Sequence, residues 1–431
     1  MSLYESHFAA VEASAVSCDG KAVPDFAWGI NKLYPVEHPA LPSPPKGYEP
    51  VHISHYGRHG SRYLRFEEQF HYVAGVLEKA AAEGRLTPAG EELRERYAVV
   101  FPLLSGRGGE LSEIGGLQHR GIAARMVERY PALFRDGARI EANSTNLERT
   151  MLSMLNFTRE LTQRNPLIDL RADASRVLMG ALNPHSAENV NVTPSDELWK
   201  SLSAPWRPDY DRYCETLIDW DAFSARLFTS TDGLCSPMEF GRDLFFITLN
   251  VPNSLSDAPS FFDMFTSEEL MKLGEMENCC FYIEKSRYPG GDRRGCFLAE
   301  TLLTDFIERV QDDLARGVTV RLRFGHDGCL MSLFALMQLP GWDAEVTDFS
   351  RIPESWDISR IPMAGNVQLV FFAPGGRRDC SSSELLFLPL MNEEPRELPL
   401  EQVCEGFYRW SDFVALYSEK IIEARRELGI L

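Results

Sequence analysis

The segment Arg58-His59-Gly60-Ser61-Arg62 places one imidazole between two guanidinium groups. An arginine side chain offers a planar fork of donors that matches the oxygens of a phosphate group. A neutral imidazole held beside such a group can act as a nucleophile toward it. These residue types predict an anion site in which Arg58 and Arg62 bind phosphate and His59 is the nucleophile.

A strand and a helix flank this segment. Val51 and Ile53 alternate with polar residues, which is typical of a strand that ends at the segment. From Phe66 to Glu83, apolar residues recur every three or four positions, which predicts a helix. A glycine-bounded loop between a strand end and a helix start lets backbone N–H groups close on an anion.

Two further polar clusters also follow predicted strands. Arg149 comes after a short strand predicted at residues 139–143, and His326 and Asp327 come after an alternating strand predicted at 318–324. Ligands of open α/β sheets gather at the carboxyl ends of the strands. We therefore expect Arg149 and His326 to bind the same phosphate as the first segment, with Asp327 as the general acid.

The segment Arg58 to Arg62 resembles the R-H-G-x-R signature of the histidine phosphatase superfamily. More narrowly, it resembles the acid phosphatase and phytase branch, which includes the inositol polyphosphate phosphatases. That pattern usually continues with x-Pro, whereas this chain has Tyr63-Leu64. Residues 111–121 also resemble the L-[ST]-x-x-G-x-x-Q-H element of the same family.

The resemblance implies a histidine-type phosphomonoesterase that uses water, no cofactor and no metal. His59 would form a phosphohistidine, and Asp327 would protonate the alkoxide leaving group. Because the Asp327 carboxyl would lie near developing negative charge, we expect its pKa to be raised. The pair His326-Asp327 matches acid phosphatases and phytases, whereas inositol polyphosphate phosphatases commonly carry His-Ala-Glu.

Further basic residues would matter only for a substrate with several phosphates. Arg65 follows the signature, and Arg293 and Arg294 belong to a basic run that begins at Lys285. We assign these three arginines as candidate substrate ligands. The sequence as a whole also resembles those of bacterial inositol polyphosphate phosphatases, so phytate-like inositol polyphosphates are the favoured substrates.

Several alternatives stay open. A broad-specificity acid phosphatase fits the same residues, and a non-catalytic phosphate-binding protein would keep the arginines without needing His59 and Asp327. A phosphoglycerate mutase of the other branch would usually carry glutamate where this chain has Ser61. A metal-dependent hydrolase needs clustered ligands. His52 and His55 are spaced like metal ligands, but on a strand they point to opposite faces, which favours structural roles.

Helices and strands alternate over most of the chain, which predicts an α/β fold with a mainly parallel sheet flanked by helices. Residues 166–295 are expected to form an inserted α-helical domain, with helix starts at Ser236 and Thr266. The α/β domain is then discontinuous, at 1–165 and 296–431. Thr145 and Glu148 form a capping-box pattern that predicts a helix start.

Composition narrows the partners of this 431-residue chain. The formal net charge of −19 argues against nucleic acid as a general partner, so an anionic substrate must be drawn by a local basic pocket. No apolar run reaches membrane-spanning length. No signal peptide is visible, although the family resemblance implies a periplasmic or secreted location. The expected partner is a small phosphate ester, and the oligomeric state is not indicated.

Overall fold

The computed structural model describes residues 2–290 and 294–431, without the side chain of Arg294. The strands, numbered in chain order, are β1 (Tyr48–Arg58), β2 (Arg139–Ser144), β3 (Asp169–Ala174), β4 (Val318–Gly325), β5 (Asn366–Pro374), β6 (Leu386–Met391), β7 (Glu394–Pro395), β8 (Gln402–Cys404) and β9 (Phe407–Arg409). The helices are α1 (Leu3–Ser14), α2 (Asp25–Trp28), α3 (Glu67–Ala82), α4 (Pro88–Leu104), α5 (Glu113–Arg129), α6 (Glu148–Arg164), α7 (Met179–Leu182), α8 (Pro194–Trp199), α9 (Arg207–Leu217), α10 (Trp220–Leu227), α11 (Pro237–Ser254), α12 (Ser267–Lys285), α13 (Arg294–Phe297), α14 (Glu300–Arg316), α15 (Asp327–Leu336) and α16 (Trp410–Glu427).

One mixed sheet runs through the molecule in the order β3-β2-β4-β1-β5-β6-β9-β8, with β7 beside β6. Pairing is parallel from β3 through β2 and β4 to β1. It becomes antiparallel where β5 joins β1, and stays so through β6 and β9. The predicted α/β fold is confirmed, and its parallel half carries the residues singled out in the sequence.

Helices cover both faces of the central strands. Phe157 of α6 packs against His55 and Phe324 on one face. On the other face, Arg323 of β4 hydrogen-bonds to Ser54 and lies over the ring of a phenylalanine in α14. Neighbouring residues of a strand point to opposite faces, and both faces of β1 and β4 are therefore buried.

The carboxyl ends of β1, β2 and β4 lie side by side. Arg58 at the end of β1 is in register with Gly325 at the end of β4, and Ser144 of β2 is in register with Phe324. The loops that follow these three strands therefore start at one edge of the sheet. This arrangement brings the three predicted polar clusters together.

The start of α6 differs from the prediction. The helix begins at Glu148, with Leu147 rather than Thr145 as its N-cap. The Thr145 hydroxyl instead lies 2.6 Å from the Thr150 hydroxyl and 3.2 Å from Nε2 of His326. The capping-box prediction is wrong at this position because the hydroxyl is used in the site.

The stretch predicted as an inserted helical domain contains one sheet strand. β3 pairs with β2 at the edge of the sheet, and helices α7 to α12 follow it. α11 and α12 start where the sequence indicates, and Thr266 and Glu269 form a capping box at α12. α3 and α4, which precede this stretch, pack on α11 and α10. The division into two domains stays a prediction.

Among the described residues, no helix is both long enough and apolar enough to cross a membrane.

Candidate active site

His59 follows β1 directly and is buried, with 2% of its surface exposed. Its Nδ1 lies 2.9 Å from the backbone oxygen of Gly60. A carbonyl oxygen can only accept, so Nδ1 carries the proton and Nε2 carries the lone pair. Burial holds the pKa of His59 well below its usual value, and the charges of Arg149 and Arg58 add to that effect. The ring is therefore a neutral imidazole with an unprotonated Nε2.

The loop that carries His59 is fixed from two sides. The Ser61 amide donates to Oε1 of Gln118 at 2.8 Å, and the Ser61 hydroxyl donates to Oδ1 of Asn253 at 2.5 Å. Gly60 runs so close to Gly115 that a Cβ at residue 60 would collide with that residue's backbone. Gln118 lies in the second segment with family resemblance, whereas no pattern in the sequence singles out Asn253.

Arg58 is fully buried and firmly held. Its Nη1 donates to the carbonyl oxygens of Ile30 at 2.8 Å and Ile361 at 2.9 Å. Its Nη2 forms an ion pair with Oδ2 of Asp327 at 2.7 Å. Nε of Arg58 is buried and has no hydrogen-bond partner among the described residues. The guanidinium is thus oriented by the protein beside Asp327.

Arg62 and Arg149 add two more positive charges. Burial lowers the pKa of Arg62 to about 10, with Arg149 as the largest electrostatic contribution. Arg149 lies in the first turn of α6 and is half-buried, and its Nε finds no hydrogen-bond partner in the described part of the chain. Burial also lowers the pKa of Arg149, and Arg65 and Arg58 strengthen that shift. Positive charge therefore accumulates around His59.

His326 is the N-cap of α15 and faces His59, with 5.8 Å between the ring centroids. Its backbone amide donates to the Tyr56 hydroxyl at 3.1 Å. Burial lowers the pKa of His326 to about 3, and the charge of Arg149 contributes. Like His59, this ring is neutral at ordinary pH and carries one proton on one of its two nitrogens. Which nitrogen carries it depends on the hydrogen bond between Nε2 and the Thr145 hydroxyl.

Asp327 begins α15, and its Oδ1 accepts from the amide of Gly328 at 2.7 Å. Burial alone would raise the pKa of Asp327, but Arg58 and Arg62 lower it to about 2. The arginines thus lower the pKa of Asp327, and the expected rise beside developing negative charge stays a prediction. The ion pair with Arg58 stabilises the carboxylate more than burial destabilises it.

Arg65 lies close enough to Arg62 and Arg149 for its charge to act on both. It is exposed, and its guanidinium lies 4.8 Å from the centroid of the Phe66 ring. The structure thus brings Arg65 next to the predicted phosphate ligands.

The remaining candidates belong to the basic run. Arg293 and the side chain of Arg294 lie outside the described residues. Lys285 at the start of the run is buried, and its Cε would lie 3.0 Å from a Cβ at Gly328. Arg287 forms ion pairs with two surface glutamates.

His52 and His55 point to opposite faces of β1, as predicted. Nδ1 of His52 lies 3.1 Å from the backbone oxygen of Val318, and His55 packs among aromatic rings. Across residues 2–290 and 294–431, no three His, Cys, Asp or Glu side chains are grouped to hold a metal ion.

No protein-family model and no curated protein sequence matches the chain. Solved structures do match it over most of its length. The multiple inositol polyphosphate phosphatase of Bifidobacterium longum, in complex with phosphate, superposes with a TM-score of 0.73 at 16% identity, covering 92% of this chain and 98% of that chain. The phytase of D. castellii gives a TM-score of 0.72 at 16% identity, covering 94% and 87%. The chain therefore has the α/β fold of these solved phosphatase and phytase structures.

More distant phytases share this phytase-like fold. The Hafnia alvei phytase in complex with tartrate has a TM-score of 0.56 at 11% identity, covering 88% of this chain and 99% of that chain. The expected resemblance is thereby confirmed for the fold. The likeness shows the fold alone, and the chemistry of the site is inferred from the geometry of its own residues.

Proposed function

We propose that the protein is a phosphomonoesterase that hydrolyses phosphate esters through a phosphohistidine at His59. One observation carries the proposal. The unprotonated Nε2 of His59 lies among Arg58, Arg62 and Arg149, and Asp327 supplies the one ion pair to these arginines found in the described residues. Three buried or half-buried cations with one carboxylate leave a positive pocket that an anion would neutralise. A phosphoryl group next to a nucleophilic nitrogen fits that pocket.

The first step transfers the phosphoryl group to the protein. Arg58, Arg62 and Arg149, whose charges act on His59, stabilise the negative charge that spreads over its oxygens. Nε2 of His59 attacks phosphorus, so that an N–P bond forms while the ester P–O bond breaks. Arginines supply the positive charge in this scheme, and we propose that no metal takes part.

Asp327 handles the protons of both steps. A bound phosphoryl group shares Arg58 with the carboxylate and adds negative charge beside it, and both effects raise the pKa of Asp327. The protonated carboxyl then gives its proton to the leaving alkoxide. In the second step, Asp327 accepts a proton from the water that attacks phosphorus. The N–P bond breaks, inorganic phosphate leaves, and His59 is restored.

His326 orients the phosphoryl group in this scheme. If the Thr145 hydroxyl donates to Nε2 of His326, the ring proton resides on Nδ1. Nδ1 then donates to a phosphate oxygen. Because the ring is neutral, its contribution depends on this tautomer rather than on charge.

We propose inositol polyphosphates as the substrate class. Arg65 offers a positive charge just outside the pocket, where a second phosphate of the same substrate would lie. A neighbour in fold, the multiple inositol polyphosphate phosphatase of Bifidobacterium longum, was crystallised with inositol hexasulfate. The pair His326-Asp327, typical of acid phosphatases, favours broad-specificity acid phosphatase as the second candidate.

The test measures phosphate release from inositol hexakisphosphate and from small esters, with wild type and His59→Ala. We expect wild-type turnover on inositol hexakisphosphate and essentially none in the variant. Acid quenching should trap an acid-labile phosphoenzyme in wild type only, and a chelator should leave the rate unchanged. Exposed His71 provides the control variant His71→Ala.

Three results would redirect the assignment. Turnover of many small esters without inositol phosphates would select the broad acid phosphatase. Phosphate binding without turnover would select a non-catalytic binding protein. Full activity in His59→Ala would overturn the nucleophile.

A further inference from the structure

A second carboxyl group, that of Glu277, lies close enough to Asp327, Arg58 and Arg62 to interact with their charges. Glu277 belongs to α12, which packs on α2 and α15. Its Oε2 is buried, and no described group hydrogen-bonds to it. Gly29 makes room for this oxygen, because a Cβ at residue 29 would lie 2.6 Å from it. The carboxyl is therefore accommodated in the fold without being neutralised by a direct partner.

Glu277 lies next to the residues that anchor Arg58. Gly29, which faces Oε2, precedes Ile30, whose carbonyl oxygen accepts from Nη1 of Arg58 at 2.8 Å. Asp327 binds the same guanidinium through Nη2. Both carboxyl groups thus act on the charge of one arginine.

The groups around Glu277 come from several elements. Asp327 of α15 repels its ionised form, whereas Arg58 of β1 and Arg62 of the following loop attract it. Ile358, which also faces Gly29, is apolar, and Cys280 on α12 is a thiol whose pKa Glu277 raises slightly. Burial dominates this balance and raises the pKa of Glu277 to about 8. At neutral pH the carboxyl is therefore mostly protonated.

We propose that Glu277 is a positioning residue of the anion pocket. As a neutral carboxyl it leaves Arg58 and Arg62 to the phosphoryl group, and as a carboxylate it competes with that group for them. This inference rests on the proposed function for its biological meaning, since it sets the alkaline limit of anion binding. It needs only the anion pocket, and not turnover, to be tested.

The size of the effect follows from the charges. Sulfate carries two negative charges, so its repulsion by an ionised Glu277 at a separation on the order of 10 Å, with an effective ε of about 20, corresponds to more than roughly a 100-fold change in affinity. Because the pKa of Glu277 is about 8, only about 10-fold of that change is reached at pH 9. Inorganic sulfate is the suitable probe because it stays a dianion from pH 5 to pH 10. Sulfate affinity measured by calorimetry should fall roughly 10-fold between pH 7 and pH 9 in wild type.

The variant Glu277→Gln mimics the neutral carboxyl. It should bind sulfate as wild type does at pH 6 and keep that affinity at pH 9. The matched control is Glu275→Gln on the same helix, where the native carboxylate pairs with Lys272 at 3.0 Å. This control should keep the wild-type fall in affinity.

A second measurement needs no variant. Because a bound dianion disfavours the ionised form of Glu277, sulfate binding at pH 8 should take up a fraction of a proton. Calorimetry in buffers of different ionisation enthalpy measures this uptake in wild type. Uptake near zero, or the same pH dependence in Glu277→Gln as in wild type, would overturn the proposal.

The two proposals fail in different ways. Sulfate binding that is independent of pH, combined with phosphatase turnover, would remove the role of Glu277 alone. The expected pH dependence without turnover on any ester would keep that role and remove the proposed enzyme. Wild type that binds no sulfate at pH 6 would remove both.

Discussion

Nη2 of Arg58 lies 2.7 Å from Oδ2 of Asp327, so the first arginine of the anion pocket and the proposed acid form an ion pair. The pair fixes Asp327 beside the nucleophile, yet it also keeps the carboxyl ionised. An acid of this kind becomes protonated only when another anion competes for the arginine. In the proposed mechanism, one guanidinium would therefore link substrate binding to activation of the acid.

Asp327→Asn should slow esters according to their leaving groups. An inositol alkoxide needs a proton, so turnover of inositol hexakisphosphate should fall by roughly 10²–10⁴-fold. p-Nitrophenolate leaves without one, so p-nitrophenyl phosphate should lose far less. Steady-state rates with both substrates provide the comparison, with exposed Asp312→Asn as control. Equal losses on the two substrates would assign Asp327 a structural role.

Thr145→Val should weaken phosphate binding roughly 10-fold, because the hydroxyl that hydrogen-bonds to Nε2 of His326 and orients its ring is lost. Thr145→Ser retains the hydroxyl and should restore the affinity. Thr158→Val is the matched control, since its buried hydroxyl bonds only within α6 in the described structure. Calorimetric titration with inorganic phosphate distinguishes these variants. A loss in Thr158→Val as large as in Thr145→Val would point to general destabilisation.

Two buried histidines should make the fold sensitive to acid. Burial lowers the pKa of His55 and of His119 to about 3, below the value of about 6.5 expected in the unfolded chain. Below pH ~6.5 such a histidine takes up a proton in the unfolded chain but stays neutral in the folded one. The stability present above pH ~6.5 is therefore lost progressively as the pH falls toward 3. The free energy of unfolding in urea should therefore decline steadily between these pH values.

The variant His119→Met tests the source of that decline. Both ring nitrogens of His119 lack hydrogen-bond partners among the described residues, so methionine loses no bond there. The slope of unfolding free energy against pH should flatten by up to about 1.4 kcal/mol per pH unit. His71→Asn, at an exposed ring, should leave the slope as in wild type. An unchanged slope in His119→Met would exclude His119 as its origin.

Arg65→Ala should separate large substrates from small ones. Because exposed charge pairs contribute about 0.2–1 kcal/mol, KM for inositol hexakisphosphate should rise roughly 2–5-fold. The rate constants for p-nitrophenyl phosphate should stay unchanged, since its single phosphate does not reach Arg65. Arg159→Ala, also exposed, is the control. A parallel change with both substrates would place Arg65 among the ligands of the first phosphate.

The sequence was informative wherever local pattern and position coincide. Alternating apolar residues located β1 and β4, and strand ends located Arg58, Arg149 and His326. Parallel strands share an edge, so these local predictions were sufficient to assemble much of the site. β6 was not recognised because it is buried throughout and lacks alternation.

Residues that reach the site from distant helices were not predicted. Asn253 is one such residue, since a polar side chain on an apolar helix gives no hint of which loop it contacts. One feature of the sequence could have indicated Glu277. It follows Leu273 by four positions, which puts a carboxyl on a buried helical stripe. What that carboxyl meets depends on packing that no local pattern encodes.

The position of β1 in the sheet determines how long this strand stays unpaired during translation. Ile53 of β1 lies between Val320 of β4 and Val370 of β5, both far later in the chain. At roughly 5–20 residues per second, on the order of 15–50 s of translation separate β1 from its first central neighbour. During that interval an apolar strand emerges with both edges unpaired, which favours self-association. Prematurely terminated chains would therefore contain the complete His59 segment, yet be inactive and dependent on chaperones.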